Sequence, residues 1–149
     1  MQVPVIDRPV VQGVEFYNQD NQKIAYLSTE WASMGIFNDN YYGYVSEEEL
    51  MYIMEKFYPK MIAAHHSPKK LCNVQALEGA AFDMISDWFE QTLLPQLIEA
   101  GMRYNAIVLP EEFFANLTLD LYGDDSQQAN ESQRLFGNQN DAMAWLNSL

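Results

Sequence analysis

Glu78 and Glu111 stand where two expected strands give way to helices, the place where open α/β sheets usually build their sites. Two carboxylates there would suit hydrolysis, one as acid and one as base. Nothing in their spacing shows that they meet, and a carboxylate at a helix start is already explained by the helix dipole. His65 and His66 are the only histidines. Helix neighbours point about 100° apart, so the two cannot ligate one metal from the same helix. Asp83, Asp87 and Glu90 share a helix face that a divalent cation or basic partner could use, and a solvated face accounts for them better. Glu78, Gly79 and Ala80 are the candidates for holding an anion or ligand, because small residues at a helix start leave amides open. Neither a phosphate-loop glycine pattern nor a lysine accompanies them. With no cluster of nucleophile, base and acid and no metal-ligand spacing, the reading is non-enzymatic, with no cofactor and no metal. The partner-binding candidates are aromatic: Trp31, Tyr41, Tyr42 and Tyr44, the three tyrosines set among turn formers.

A chain of 149 residues is one domain by length and buries enough surface for one core. Eight Lys and Arg against 21 Asp and Glu leave a net charge of −13, which repels phosphate backbones and anionic lipid surfaces. Nucleic acid is excluded on that ground, and no apolar run approaches the length of a membrane span. Cys72, the single cysteine, lies in an apolar run and reads as a buried thiol in a reducing compartment. The first residues lack the basic and apolar regions of a signal peptide, so the expected location is cytoplasmic.

The elements that would position these residues change character along the chain. Residues 1–9, with Pro4 and Pro9, read as an extended lead-in. Strands are expected around 10–17, 23–27 and 29–32, forming an antiparallel meander. Phe37 to Tyr44 mixes Asn, Asp and Gly with aromatics and reads as a loop. Ser46-Glu47-Glu48-Glu49 is a capping box that opens a helix with Leu50, Ile53, Met54, Phe57, Met61 and Ile62 on its inner face. A strand follows over 70–77, apolar apart from Asn73 and Gln75. The next helix should pack through Phe82, Ile85 and Leu93 and break near Leu94, because Pro95 has no amide. A strand over 103–109, a helix from Pro110 to about Tyr122, a polar loop over 123–131, a strand over 132–136 and a helix capped by Asn138 complete the chain. The last helix is expected to pack Ala142, Trp145 and Leu146 inward. Alternating strands and helices imply an α/β domain with a mostly parallel sheet.

Thr29-Glu30-Trp31, Leu94 to Gly101, Ala106-Ile107-Val108-Leu109-Pro110 and Phe136 through Ala142 to Trp145-Leu146 together resemble the STAS-like, or SpoIIAA-like, domains related to anti-sigma factor antagonists. The likeness covers residues 10–149. It implies a single STAS-like domain, a sheet of about four to six strands with about four helices, and a binding or regulatory module that engages a partner protein, with possible self-association. The antagonists carry a phosphorylated serine at the start of the helix after a central strand. The matching stretch here, Leu77 to Phe82, has no hydroxyl, and Ser86 lies about two turns into the helix, so the phosphoswitch is not expected. Eight methionines and three tryptophans supply soft apolar volume. The alternative reading is therefore a carrier or sensor of a small apolar, lipid-like ligand held between sheet and helix. A hydrolase using the strand-end carboxylates comes third.

Overall fold

A computed structural model describes residues 4–120 and 132–149. The expected polar loop at 123–131 lies outside the described residues. Seven strands form one sheet in chain order: β1 (Ile6–Val10), β2 (Gly13–Tyr17), β3 (Lys23–Ser28), β4 (Ile36–Tyr44), β5 (Lys69–Glu78), β6 (Tyr104–Val108) and β7 (Gln133–Phe136). β1 to β4 pair antiparallel and β4 to β7 pair parallel. The sheet is thus mixed in equal parts, with more strands than expected. The extra pairing comes from two corrections. The lead-in contains β1, which pairs with β2 along its whole length. Phe37 to Tyr44 is not a loop but most of β4, the nine-residue strand where the sheet changes from antiparallel to parallel. Asn, Asp and Gly are poor strand formers alone, yet strand preference reflects fit to neighbours, and β4 is paired on both sides. The expected strand at 29–32 is instead a turn leading into a 3₁₀ helix, Ala32–Met34.

Glycine is required at the start of β2, where Gly13 has φ of +149° and an added Cβ would lie 2.0 Å from the Leu27 carbonyl oxygen. No other residue fits so close to the neighbouring strand.

Parallel neighbours need crossovers. α1 (Glu47–Ala64) connects β4 to β5, and its Ser46 capping box is present in full. Between β5 and β6 the chain is helical in pieces: α2 (Ala81–Met84), α3 (Ser86–Trp88), a π-turn (Phe89–Leu93) and α4 (Leu94–Ala100). The expected break at Leu94 is where the π-turn ends. There the Leu94 amide reaches five residues back to the Phe89 carbonyl, just before Pro95, which has no amide to offer. α5 (Glu111–Asp120) joins β6 to β7, and α6 (Gln139–Asn147) follows, capped by Asn138 accepting from the Asp141 amide.

Side chains alternate across the sheet, so each strand feeds two cores. Phe16, Leu27, Phe37, Cys72 and Val74 pack with Leu50, Ile53, Met54, Tyr58 and Ile62 of α1 and with Ile85, Leu93 and Leu97 of the broken helix. On the other face, Ile36, Leu71, Ala106, Val108 and Phe136 pack with Ala142 and Leu146 of α6. Trp145 is only half-buried at the edge of this second core, its ring edge-on to Tyr104.

Candidate functional site

Polar residues in the main core define the site. In β4 the residues facing α1 are Phe37, Asp39 and Tyr41; in β5 they are Lys70, Cys72 and Val74; in β6 and β7 Asn105 and Gln133 continue the row. Asp39 is 0 % exposed and Lys70 is 2 % exposed. The Lys70 ammonium lies 3.2 Å from Asp39 Oδ2 and 3.5 Å from Asn105 Oδ1. Asn105 in turn donates to Gln133 at 3.3 Å. On the opposite side Tyr58 of α1 donates to Asp39 Oδ2, and the hydroxyls of Tyr58 and Tyr41 bond to each other. One chain of hydrogen bonds therefore runs from Tyr41 across four parallel strands to Gln133.

Burial dominates the electrostatics. It pushes the Tyr41 and Tyr58 hydroxyls and the Cys72 thiol well above their usual ranges, and the nearby Asp39 carboxylate adds to the effect in each. All three stay protonated at neutral pH, so Cys72 is not a thiolate nucleophile. Removing an ammonium and a carboxylate from water is costly, and the pair persists because each ion finds its opposite and further hydrogen bonds. Oδ1 of Asp39, fully buried, has no N–H or O–H partner among the described residues.

Beside this row, between the sheet and the broken helix, lies a cavity of about 140 Å³. Lys70, Asn105 and Gln133 form its polar floor, with Ile107 beside them. Met54, Phe82, Ile85 and Phe89 form apolar walls, and the exposed Asp83, Ser86 and Glu90 form a rim. Lys70 and Asn105 each stand second in their strands, so the cavity sits near the starts of the parallel strands.

The residues singled out in the sequence fall elsewhere. Tyr41 is wholly buried and belongs to the core, so it is no surface anchor. Tyr42 is half-buried on the opposite face, with the Lys23 ammonium 5.3 Å from its ring centre. Tyr44 is 74 % exposed at the end of β4. Trp31 is half-buried against the α6 core, away from Tyr41. Tyr44 and Gly79 do meet, since a Cβ on Gly79 would lie 3.4 Å from the Tyr44 ring. Glu78, Gly79 and Ala80 are exposed. The helix after them has only four residues, too short to gather the dipole expected there. Gly79 lines a smaller cleft of about 90 Å³ with Leu109, Pro110 and Phe113 at the ends of β5 and β6. Glu111 is exposed at the start of α5, and His65 and His66 are exposed at the end of α1. No cluster of metal-ligating side chains occurs among the described residues.

Sequence reasoning missed Asp39, Tyr58 and Lys70. Asp39 was concealed among turn formers, Tyr58 lies beside Pro59 inside α1, and Lys70 follows Lys69 at the head of an apolar run. One signal was available. Phe37, Asp39 and Tyr41 alternate with Asn38 and Asn40, the period of a strand with one apolar face.

No protein-family model matches the chain, and neither does any curated protein or solved structure. Among the described residues no helix is long and apolar enough to cross a membrane.

Proposed function

We propose that this chain is a non-enzymatic, STAS-like binding module that senses or carries a small molecule in the cavity between the sheet and the broken helix. The carrying observation is the cavity itself: apolar walls over a floor with two nearly fully buried polar side chains, Lys70 and Asn105. Binding sites are commonly concave, mostly apolar and supplied with a few placed polar groups. A cavity of about 150 Å³ lined by apolar side chains accepts benzene, so this one suits a ligand of similar size. The family likeness supports a regulatory rather than a catalytic role, and the buried, protonated thiol of Cys72 fits a reducing, cytoplasmic setting.

The test is protein-observed NMR with benzene as the probe, on the native chain and on Ile107→Trp, whose larger side chain should fill the space. Saturable shifts at Ile85, Ile107 and Met54 that vanish in the variant are expected. Absence of binding in the native chain by benzene and by its polar counterparts pyridine and butanamide alike overturns the reading.

A second reading, engagement of a protein partner, has its own observation. α6 covers the sheet face over β5, β6 and β7, whereas over β2 to β4 that face carries Tyr26, Tyr42, Lys23 and Glu15. Part-exposed aromatics are favoured at interfaces, whose rims are polar. Replacing Tyr26 and Tyr42 by serine should weaken self-association or partner capture in sedimentation while leaving the cavity's benzene binding unchanged.

A further inference from the structure

The floor of the cavity is more specific than its walls. Among the described residues Lys70 is the one cation that lines it, and its ammonium has two hydrogen-bond partners, Asp39 Oδ2 at 3.2 Å and Asn105 Oδ1 at 3.5 Å. An ammonium has three N–H groups. One donor is left, and beside it stand the ring faces of Tyr58 and Phe89, 5.1 and 6.0 Å from the ammonium, weaker partners than a ligand's lone pair. The charge of that ammonium is already balanced by Asp39, whose second oxygen is buried without an N–H or O–H partner. Around the mouth stand Asp83 and Glu90, on a chain with a net charge of −13.

We propose that the cavity selects a neutral, benzene-sized molecule carrying one hydrogen-bond acceptor, which takes the free N–H of Lys70, and that it rejects the matching carboxylate. This rests on the ligand-binding reading above. An acceptor gains a charge-assisted hydrogen bond where benzene offers the ammonium only the weaker attraction of its ring face. A carboxylate would place a second negative charge beside the Asp39–Lys70 pair, whose burial weakens screening, and behind an acidic rim. The usual role of a buried lysine as an anion anchor is therefore cancelled by Asp39. Selection falls on hydrogen-bonding capacity, not on charge.

Two matched pairs of probes separate these effects at pH 8, measured by protein-observed NMR titration of the full chain. Pyridine and benzene have the same size and differ by one acceptor. Butanamide and butanoate have equal numbers of heavy atoms and differ by one charge. Pyridine should bind about ten-fold tighter than benzene, a gain of about 1.4 kcal/mol, and butanamide should bind where butanoate does not. Asp39→Asn strands the buried ammonium as Lys70→Met strands the carboxylate, so butanoate, which supplies the missing counter-charge, should raise the denaturation midpoint of that variant while butanamide does not.

Lys70→Met alone strands a buried carboxylate and is expected to fold poorly, so the double variant Asp39→Asn/Lys70→Met serves instead. It should bind benzene and pyridine equally. Benzene bound as tightly as pyridine by the native chain overturns the proposal and leaves the ligand-binding reading standing. So does butanoate bound as well as butanamide. If benzene, pyridine and butanamide all fail to bind, both fall.

Discussion

At their far ends β5 and β6 run out into Glu78, Gly79 and Glu111, all exposed to solvent, while near their starts the same two strands bury Lys70 and Asn105 at 2 % exposure each. Acids crowd the first end and would attract attention in any reading of the sequence. Yet a solvated carboxylate costs nothing to keep and has an ordinary chemical character. The buried pair is costly, holds the only ammonium on the cavity's floor among the described residues and is tied to two phenols. Chemistry in this fold is therefore concentrated where polar groups are withheld from water. The sequential strand order, with no reversal in the parallel half, fits this contrast, since a crevice at the strand ends forms where strand order turns back.

Breaking the buried end should have the largest effect. Lys70→Met leaves Asp39 buried without its cation and should cost about 3–5 kcal/mol in urea denaturation, much of it recovered when Asp39→Asn is added. A loss under about 1 kcal/mol for the single variant would mean that water already reaches the pair.

The tyrosines sharpen the same contrast within one strand. Tyr41→Ser removes a fully buried ring and one end of the hydrogen-bond chain, and should cost about 3–4 kcal/mol. Tyr44→Ser, three positions on and exposed, should stay within about 0.5 kcal/mol. Equal effects from the two would reverse the assigned faces of β4.

Alkaline titration probes the buried end without mutation. Cys72, Tyr41 and Tyr58 have native pKa values raised above their ordinary 9.0, 10.0 and 10.0. The unfolded chain therefore loses these protons first, and their stabilisation is whole below about pH 9 and falls as pH rises. Each group contributes a slope of about 1.4 kcal/mol per pH unit between its two values. Denaturation midpoints should begin to drop near pH 9 and fall more steeply above pH 10. In Cys72→Ala the drop should begin later, near pH 10.

The smallest effects belong to the exposed end. Glu78→Gln and Glu111→Gln should each shift stability by no more than about 0.5 kcal/mol and leave benzene binding in the cavity unaltered. A large loss of binding from either would return the site to the strand ends.

Several features were written in short stretches of sequence, and those are the ones that depend on local physics. The Ser46 capping box, the Asn138 cap, the change at Leu94 before Pro95 and the alternation of strands and helices after β4 were all legible. In each, the residue that acts and the group it satisfies lie within a few positions of each other. The first core's stripe along α1 was legible for the same reason, except that Tyr58 was missing from it.

What tertiary structure alone decided depends on partners far apart in the chain. Asn, Asp and Gly favour turns in isolation, so Phe37 to Tyr44 looked like a loop until β3 and β5 flanked it and supplied its hydrogen bonds. Only then does alternation carry Asp39 into the core and Asn38 and Asn40 to the opposite face, where they donate to the carbonyls of Leu71 and Tyr26. Lys70 is 31 positions from Asp39 and 35 from Asn105. No local rule couples such residues. The register of three parallel strands brings them together, and burial then pairs an ordinary lysine with an ordinary aspartate at the polar floor of a cavity.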